Sequence, residues 1–408
     1  MPIVTRIVTW HTGTRRVMSA EVGPSVTAFV ALLASAVMLS IAAERIRVPA
    51  AVLLVAAGAV AGSVWHLRPP FAFGPALLFV FLPPLVFEAA WNVDLAALRT
   101  KLGRIALLAF PGTLLTAFAV AGGLALTGAL PLAAGLLLGA MVAATDPVAV
   151  VAVFRRVPVP VEVRTLVEAE SLANDAVAVA LYGVALTLAS GGAVAWVPAA
   201  AHAVVALAGG IALGSLCAVP LWLVLRTTEA AEYEVTATVA LAYAAYLLAD
   251  RLQLSGIFAS AAGAVALRAL LARRAHLSNP EYVDTFWNAG AYLANAVVFL
   301  ATGLLIDVPR ALREPAVVLV ALAVVGAARV LLALVAVPDL PGRITVFLAG
   351  MRGALPLALA LALPQVLPHR AEIVDGVFAI VLVTLVVQGA PLEPVVRRLY
   401  GARSGRVA

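Results

Sequence analysis

The stretch "AATDPVAVVAVF", residues 143–154, decides how the rest of the chain is read. Ten of its twelve positions are apolar or small, which suits a helix buried in lipid, yet Asp146 and Pro147 interrupt it in the middle. Proline has no amide hydrogen and disfavours helical geometry at the residue before it, so the helix is expected to break at Asp146. A break at that depth frees backbone amides and carbonyls, which is tolerated in a bilayer only where they line a polar cavity or meet protein partners. Asp146 is therefore expected either to cap the freed amides and compensate the half-helix dipoles or to ligate an ion directly.

Composition supports a membrane setting. Of 408 residues, 64% are hydrophobic and 12% charged, and mean hydropathy is +1.08. No soluble domain requires so much apolar surface, so the chain is expected to be an all-α polytopic membrane protein. Apolar runs long enough to cross a bilayer number about thirteen. They cover 26–43, 48–65, 72–91, 104–126, 131–153, 163–189, 196–225, 233–249, 255–272, 287–306, 315–337, 343–364 and 373–390. The expected organisation is an extracytoplasmic segment 1–25, one transmembrane domain 26–390, and a short cytoplasmic tail 391–408 that is too short to fold alone.

The formal charge is +6 and the pI about 10.0. In a soluble protein that balance would suggest nucleic acid, but here the basic residues concentrate in short loops, where they orient the chain against anionic lipid. Loops around Arg45, Lys101, Arg155, Arg164, Arg273 and Arg343, with the C-terminal tail, hold about twice the Lys and Arg of the opposite set, so they are expected to face the cytoplasm and the N-terminus the outside. The lone Cys217 excludes an internal disulfide, and the five scattered histidines do not suggest a metal site. No cofactor motif or ATP-binding GxxxxGK[ST] loop is present.

An ionisable side chain at mid-bilayer costs at least about 2.5 to 3.5 kcal/mol, so those that occur usually pair or line a cavity. The candidates are Glu88, Asp146, Glu170, Asp175, Arg329 and Arg352. In "ESLANDAVAVAL", residues 170–181, Glu170 stacks over Asn174 and Ser171 over Asp175, on adjoining faces of one helix. Either a buried polar network or an ion site would place them so. Small Ala173, Ala176, Ala178 and Ala180 would let neighbouring helices approach. Glu88 ends "FVFLPPLVFE", residues 79–88, where a Pro pair bends the helix; an interfacial carboxylate is the plainer reading of its position. "MRGALPLALAL", residues 351–361, puts Arg352 ahead of Pro356 in a second mid-span break, and Glu170 is the natural acid for it.

Together these segments resemble the monovalent cation:proton antiporter-1 family, the NhaP-type sodium/proton antiporters. "ATDPVAV" followed by "ESLANDAVAVAL" is the specific signature, and "FLPPLVFE", "LSGIFAS", "ARVLLAL", "MRGALPLALAL" and "VVQGAPL" follow the family's order from residue 79 to 392. The resemblance implies a homodimer in the cell (inner) membrane, each protomer built from two inverted repeats whose broken helices cross at midplane. It implies exchange of Na+, or Li+ or K+, for H+ without a cofactor. It assigns the cation site to Asp175, Ser171, Glu88 and the Thr145 carbonyl, with Asn174 organising it. Glu170 would pair with Arg352, Asp146 would compensate dipoles, and Arg329 matches a family arginine.

Competition of a proton and a cation for Asp175 is sufficient for antiport, because the bare anion is reluctant to cross alone. With Asn174 uncharged beside it, exchange is expected to be electroneutral, one proton per cation. A potassium-preferring or electrogenic antiporter of the same fold is the nearest alternative. An intramembrane aspartyl protease, with Asp146 and Asp175 formally available, lacks the Gly-x-Gly-Asp motif, and HExxH is also absent.

Overall fold

The computed structural model describes residues 27–404 apart from 47, 68–74, 155, 158, 228–229, 275–279 and 306–314. The expected extracytoplasmic segment 1–25 lies outside the described residues. Helices run in the order α1 (Thr27–Ile46), α2 (Ala50–Val64), α3 (Pro75–Trp91), α4 (Leu95–Leu107), α5 (Thr113–Leu126), α6 (Leu132–Ala143) and α7 (Pro147–Phe154). They continue as α8 (Val161–Ala189), α9 (Trp196–Leu225), α10 (Ala231–Arg251), α11 (Gly256–Arg274) and α12 (Pro280–Leu305). The last five are α13 (Pro315–Ala336), α14 (Leu340–Leu348), α15 (Ala354–Leu361), α16 (Arg370–Thr384) and α17 (Ala390–Ser404).

Among the described residues, seven helical stretches are long and apolar enough to cross a membrane, including α1, α8, α9, α12 and α13. Helix also occupies the other segments expected to span, as shorter apolar helices, as the halves of broken ones, or, in α10, as a helix with charged ends. Two wider turns of π-helix, Leu108–Gly112 and Leu385–Gly389, join α4 to α5 and α16 to α17. The first contains Pro111, whose missing amide hydrogen breaks the regular ladder there.

Three boundaries differ from expectation for local reasons. α4 starts at Leu95 rather than 104 because Asp94 caps it, accepting from the amides of Ala96 at 2.8 Å and Ala97 at 3.1 Å. α12 starts at Pro280 rather than 287; its first turns carry Glu281 and Asp284, which a search for apolar runs passes over. The segment expected as a tail is helix through Ser404, with Leu392, Val396 and Tyr400 buried at four-residue spacing.

Proline inside α3 frees a carbonyl that another helix satisfies. Pro84 cannot donate to Val80, four residues earlier, and the Tyr243 hydroxyl of α10 donates to that oxygen at 2.7 Å. The helices form two packed groups. α4, α5, α6, α8, α13 and α16 pack with one another, while α2, α3, α9, α10, α11 and α12 form the second set. The α3–α8, α8–α11 and α12–α15 contacts join them.

Candidate functional site

Both predicted breaks exist, and they meet. Residues 144–146 separate α6 from α7, and 349–353 separate α14 from α15. At the meeting point the Asp146 amide donates to the Met351 carbonyl at 3.0 Å, and the Arg352 amide donates to Thr384 Oγ1 at 3.2 Å. Backbone groups that a broken helix would leave bare are thus satisfied by protein.

Charges sit at the half-helix ends with the sign their dipoles favour. The Asp146 carboxylate packs against Gly353, the residue that caps the start of α15; a Cβ there would lie 2.1 Å from Asp146 Oδ2, so only glycine fits. At the end of α14, Arg329 donates from Nε to the Val346 carbonyl at 3.0 Å, and Gln388 Nε2 donates to that of Phe347 at 3.0 Å.

Arg329, not Arg352, is the partner of Glu170. Both its terminal nitrogens donate to the two carboxylate oxygens, Nη2 reaching Oε2 at 3.2 Å, and both side chains are 2% exposed. The expected Glu170–Arg352 pair is therefore corrected. Two arginines in different helices cannot be ranked by sequence spacing, and Arg329 has the open approach because Gly350 puts no side chain in its path. Arg352 is also buried; its Nε and Nη1 donate to no partner among the described residues. It lies within electrostatic reach of Glu170, Asp175 and Arg329 and lines a cavity of about 10 Å³ with Glu170 and Asn174, room for about one water.

On α8, Asn174 and Ser171 both hold Thr145. Asn174 Nδ2 donates to Thr145 Oγ1 at 2.7 Å, its Oδ1 accepts from the Thr145 amide at 3.4 Å, and the Ser171 and Thr145 hydroxyls lie 2.8 Å apart. Ala176 and Ala178 are buried as expected, whereas Ala180 is exposed.

Asp175 faces a second cavity of about 50 Å³, with Thr145, Asp146 and Asn295. Its Oδ1 is buried with no hydrogen-bond partner among the described residues. α3 contributes an apolar stripe to the lining: Leu82, Leu85, Val86 and Ala89. Glu88 does not line this cavity. It lies roughly 60° past Leu85 around the helix, beside the stripe. There it accepts from Asn92 Nδ2 at 2.7 Å, in a cluster where Asn92 also reaches Asn288 and Trp91 Nε1 donates to Asp284 at 2.7 Å.

Asn295 escapes a search for charged residues. Its signal is a neutral amide in the middle of the apolar run "AYLANAVVFLATG", residues 291–303. Among the described residues no group of three or more His, Cys, Asp or Glu side chains is placed to hold a metal.

Two broken helices tied at their breaks, with a buried carboxylate beside a cavity, define a membrane protein of the secondary-transporter class. The chain belongs to the sodium/hydrogen exchanger transmembrane family, whose model matches residues 28–398. It is 33% identical over 355 residues to the Na(+)/H(+) antiporter NhaP of Pseudomonas aeruginosa, covering 81% of this chain and 82% of that one. It is 32% identical over 340 residues to the Na(+)/H(+) antiporter ApNhaP of Aphanothece halophytica, covering 79% of this chain. The chain matches 64% of that relative's length. In fold it is similar to the sodium proton antiporter MjNhaP1 of Methanocaldococcus jannaschii, with a TM-score of 0.78 at 22% identity, covering 93% of this chain and all of that one.

Proposed function

We propose that the chain is a Na+/H+ antiporter in which one cation and one proton compete for Asp175. The observation that carries this reading is the Asp175 carboxylate, with an unpartnered buried oxygen beside a cavity at the meeting of two broken helices. An acid in that position is neutralised by a proton or by a cation held among oxygens, and by both only poorly. The Thr145 carbonyl supplies a neighbouring oxygen, and Ser171, which like Glu88 lies outside the cavity lining, fixes the Thr145 hydroxyl at 2.8 Å. Asn174 holds the Thr145 segment in place, and Glu88 is left out of the coordinating set.

Charge balance supports a ratio of one to one. Around the crossing, the guanidiniums of Arg329 and Arg352 oppose the carboxylates of Glu170, Asp146 and Asp175, leaving one negative charge in excess. One monovalent cation or one proton removes it, so each loaded form crosses neutral and the empty form does not. Asp146 and Arg329 fix charge at half-helix ends, and Glu170 neutralises Arg329.

The reading places the protein in the cell membrane as a homodimer, N-terminus outside and C-terminus in the cytoplasm, with no cofactor. The family resemblance supports the dimer and the basic loops the orientation. The test is a pH-gradient dequenching assay in proteoliposomes with Na+, Li+ and K+ in turn, clamped and unclamped by ionophore. Cation-dependent dequenching that is independent of voltage is expected, and its absence with every cation rejects the proposal.

A further inference from the structure

Asn295 stands in the middle of α12, and its near neighbours along the helix, Ala294, Ala296, Val298 and Phe299, are all apolar. A buried amide in such a setting is costly unless both its ends find polar company. One end is accounted for: Nδ2 donates to the Ala291 carbonyl at 2.8 Å, one turn back. A carbonyl can only accept, so the nitrogen must be the end that faces Ala291, and the amide orientation is fixed by chemistry. The oxygen is thereby turned away from that bond, and among the described residues no donor reaches it. Asn295 is 6% exposed and shares the lining of the 50 Å³ cavity with Asp175, Thr145 and Asp146.

We propose that Asn295 Oδ1 is a further ligand for the transported cation, supplied by α12 to the cavity that Asp175 also lines. This rests on the reading of Asp175 as the carrier. A hard monovalent cation is held by several oxygens, and a proton needs only one. The amide contributes an oxygen dipole without a charge, so it strengthens cation binding and leaves the one-to-one charge balance intact. Asn295 thus favours the cation over the proton in their competition for one acid. α12 packs with α2 and α3, whereas Asp175 belongs to the group around α6 and α8, so the cation would join the two groups across their contact surface.

The test compares the parent with Asn295→Ala, Asn295→Asp and Asp175→Asn in proteoliposomes, reading apparent KM and maximal rate for Na+, Li+ and K+ and inhibition by protons. Asn295→Ala is expected to raise the apparent KM for the preferred cation about tenfold, with maximal rate within about twofold and proton inhibition unchanged or stronger. Asn295→Asp restores an oxygen with a charge: apparent KM falls to the parental value or below, and exchange becomes sensitive to membrane potential. A parental KM in Asn295→Ala, or a fall in maximal rate alone, overturns the proposal by assigning Asn295 to packing. If Asn295→Ala does not give monodisperse protein, the isosteric Asn295→Asp decides, and voltage-insensitive exchange by it overturns the proposal. Robust exchange by Asp175→Asn rejects the carrier reading itself, whereas an inactive Asp175→Asn beside unaltered Asn295 variants rejects this inference alone.

Discussion

The amide of Asp146 donates to the carbonyl of Met351 at 3.0 Å, tying the two broken helices to each other through backbone at their breaks. Because the tie uses no side chain, the carboxylate of Asp146 remains available to the start of α15, where it rests on Gly353. Sequence changes at either break therefore act through fit as much as through charge.

Gly353→Ala is expected to destabilise the protein by about 1 to 3 kcal/mol, the usual cost of forcing a methyl into occupied space. The added Cβ would lie 2.1 Å from Asp146 Oδ2. Thermal unfolding in detergent measures this; a melting temperature equal to the parent's would contradict the packing described.

Glu170→Gln and Arg329→Met, made singly, each leave a buried charge without its partner, which costs about 3 to 5 kcal/mol. The double variant should lose less than the sum of the two. Melting temperatures for the three variants close the cycle, and additive losses would mean that the pair is not coupled.

Asp175→Asn should keep or raise the melting temperature while abolishing exchange, because it removes a buried charge whose Oδ1 has no hydrogen-bond partner. Asp175→Glu should keep some transport. Dequenching assays and thermal unfolding on the same preparations separate the two effects, and a strongly destabilised Asp175→Asn would show that the carboxylate is structural.

Asn174→Ala removes a donor and an acceptor that hold Thr145, leaving the Thr145 amide buried without them. A loss of about 1 to 3 kcal/mol is expected. Exchange should slow as the Thr145 carbonyl loses its fixed position. Unaltered stability and rate would remove Asn174 from the site.

Much of this architecture is legible in the chain because lipid imposes strict rules. Pro147 forced the break at Asp146, and uninterrupted apolar runs located the helices. A charged first turn hid the start of α12, and Arg99, Lys101 and Arg104 hid that of α4, since capping by Asp94 leaves no trace in hydropathy. Which side of α3 meets the cavity is not readable from adjacency in sequence: Leu82, Leu85, Val86 and Ala89 line it, and Glu88 lies beside them. The choice between Arg329 and Arg352 depended on Gly350, a clearance that exists only in three dimensions. Asn295 went unseen because an uncharged amide does not announce itself among charges.

The last helix packs beside the crossing. Leu392, Val396 and Tyr400 seat α17 on the body, and the Thr345 hydroxyl of α14 donates to Tyr400 Oη at 3.4 Å. α14 is one half of a broken helix, so α17 packs directly against an arm of the crossing. Sequence changes on the α17 face that carries Leu392, Val396 and Tyr400 therefore bear on α14 and on the break that follows it, without touching Asp175.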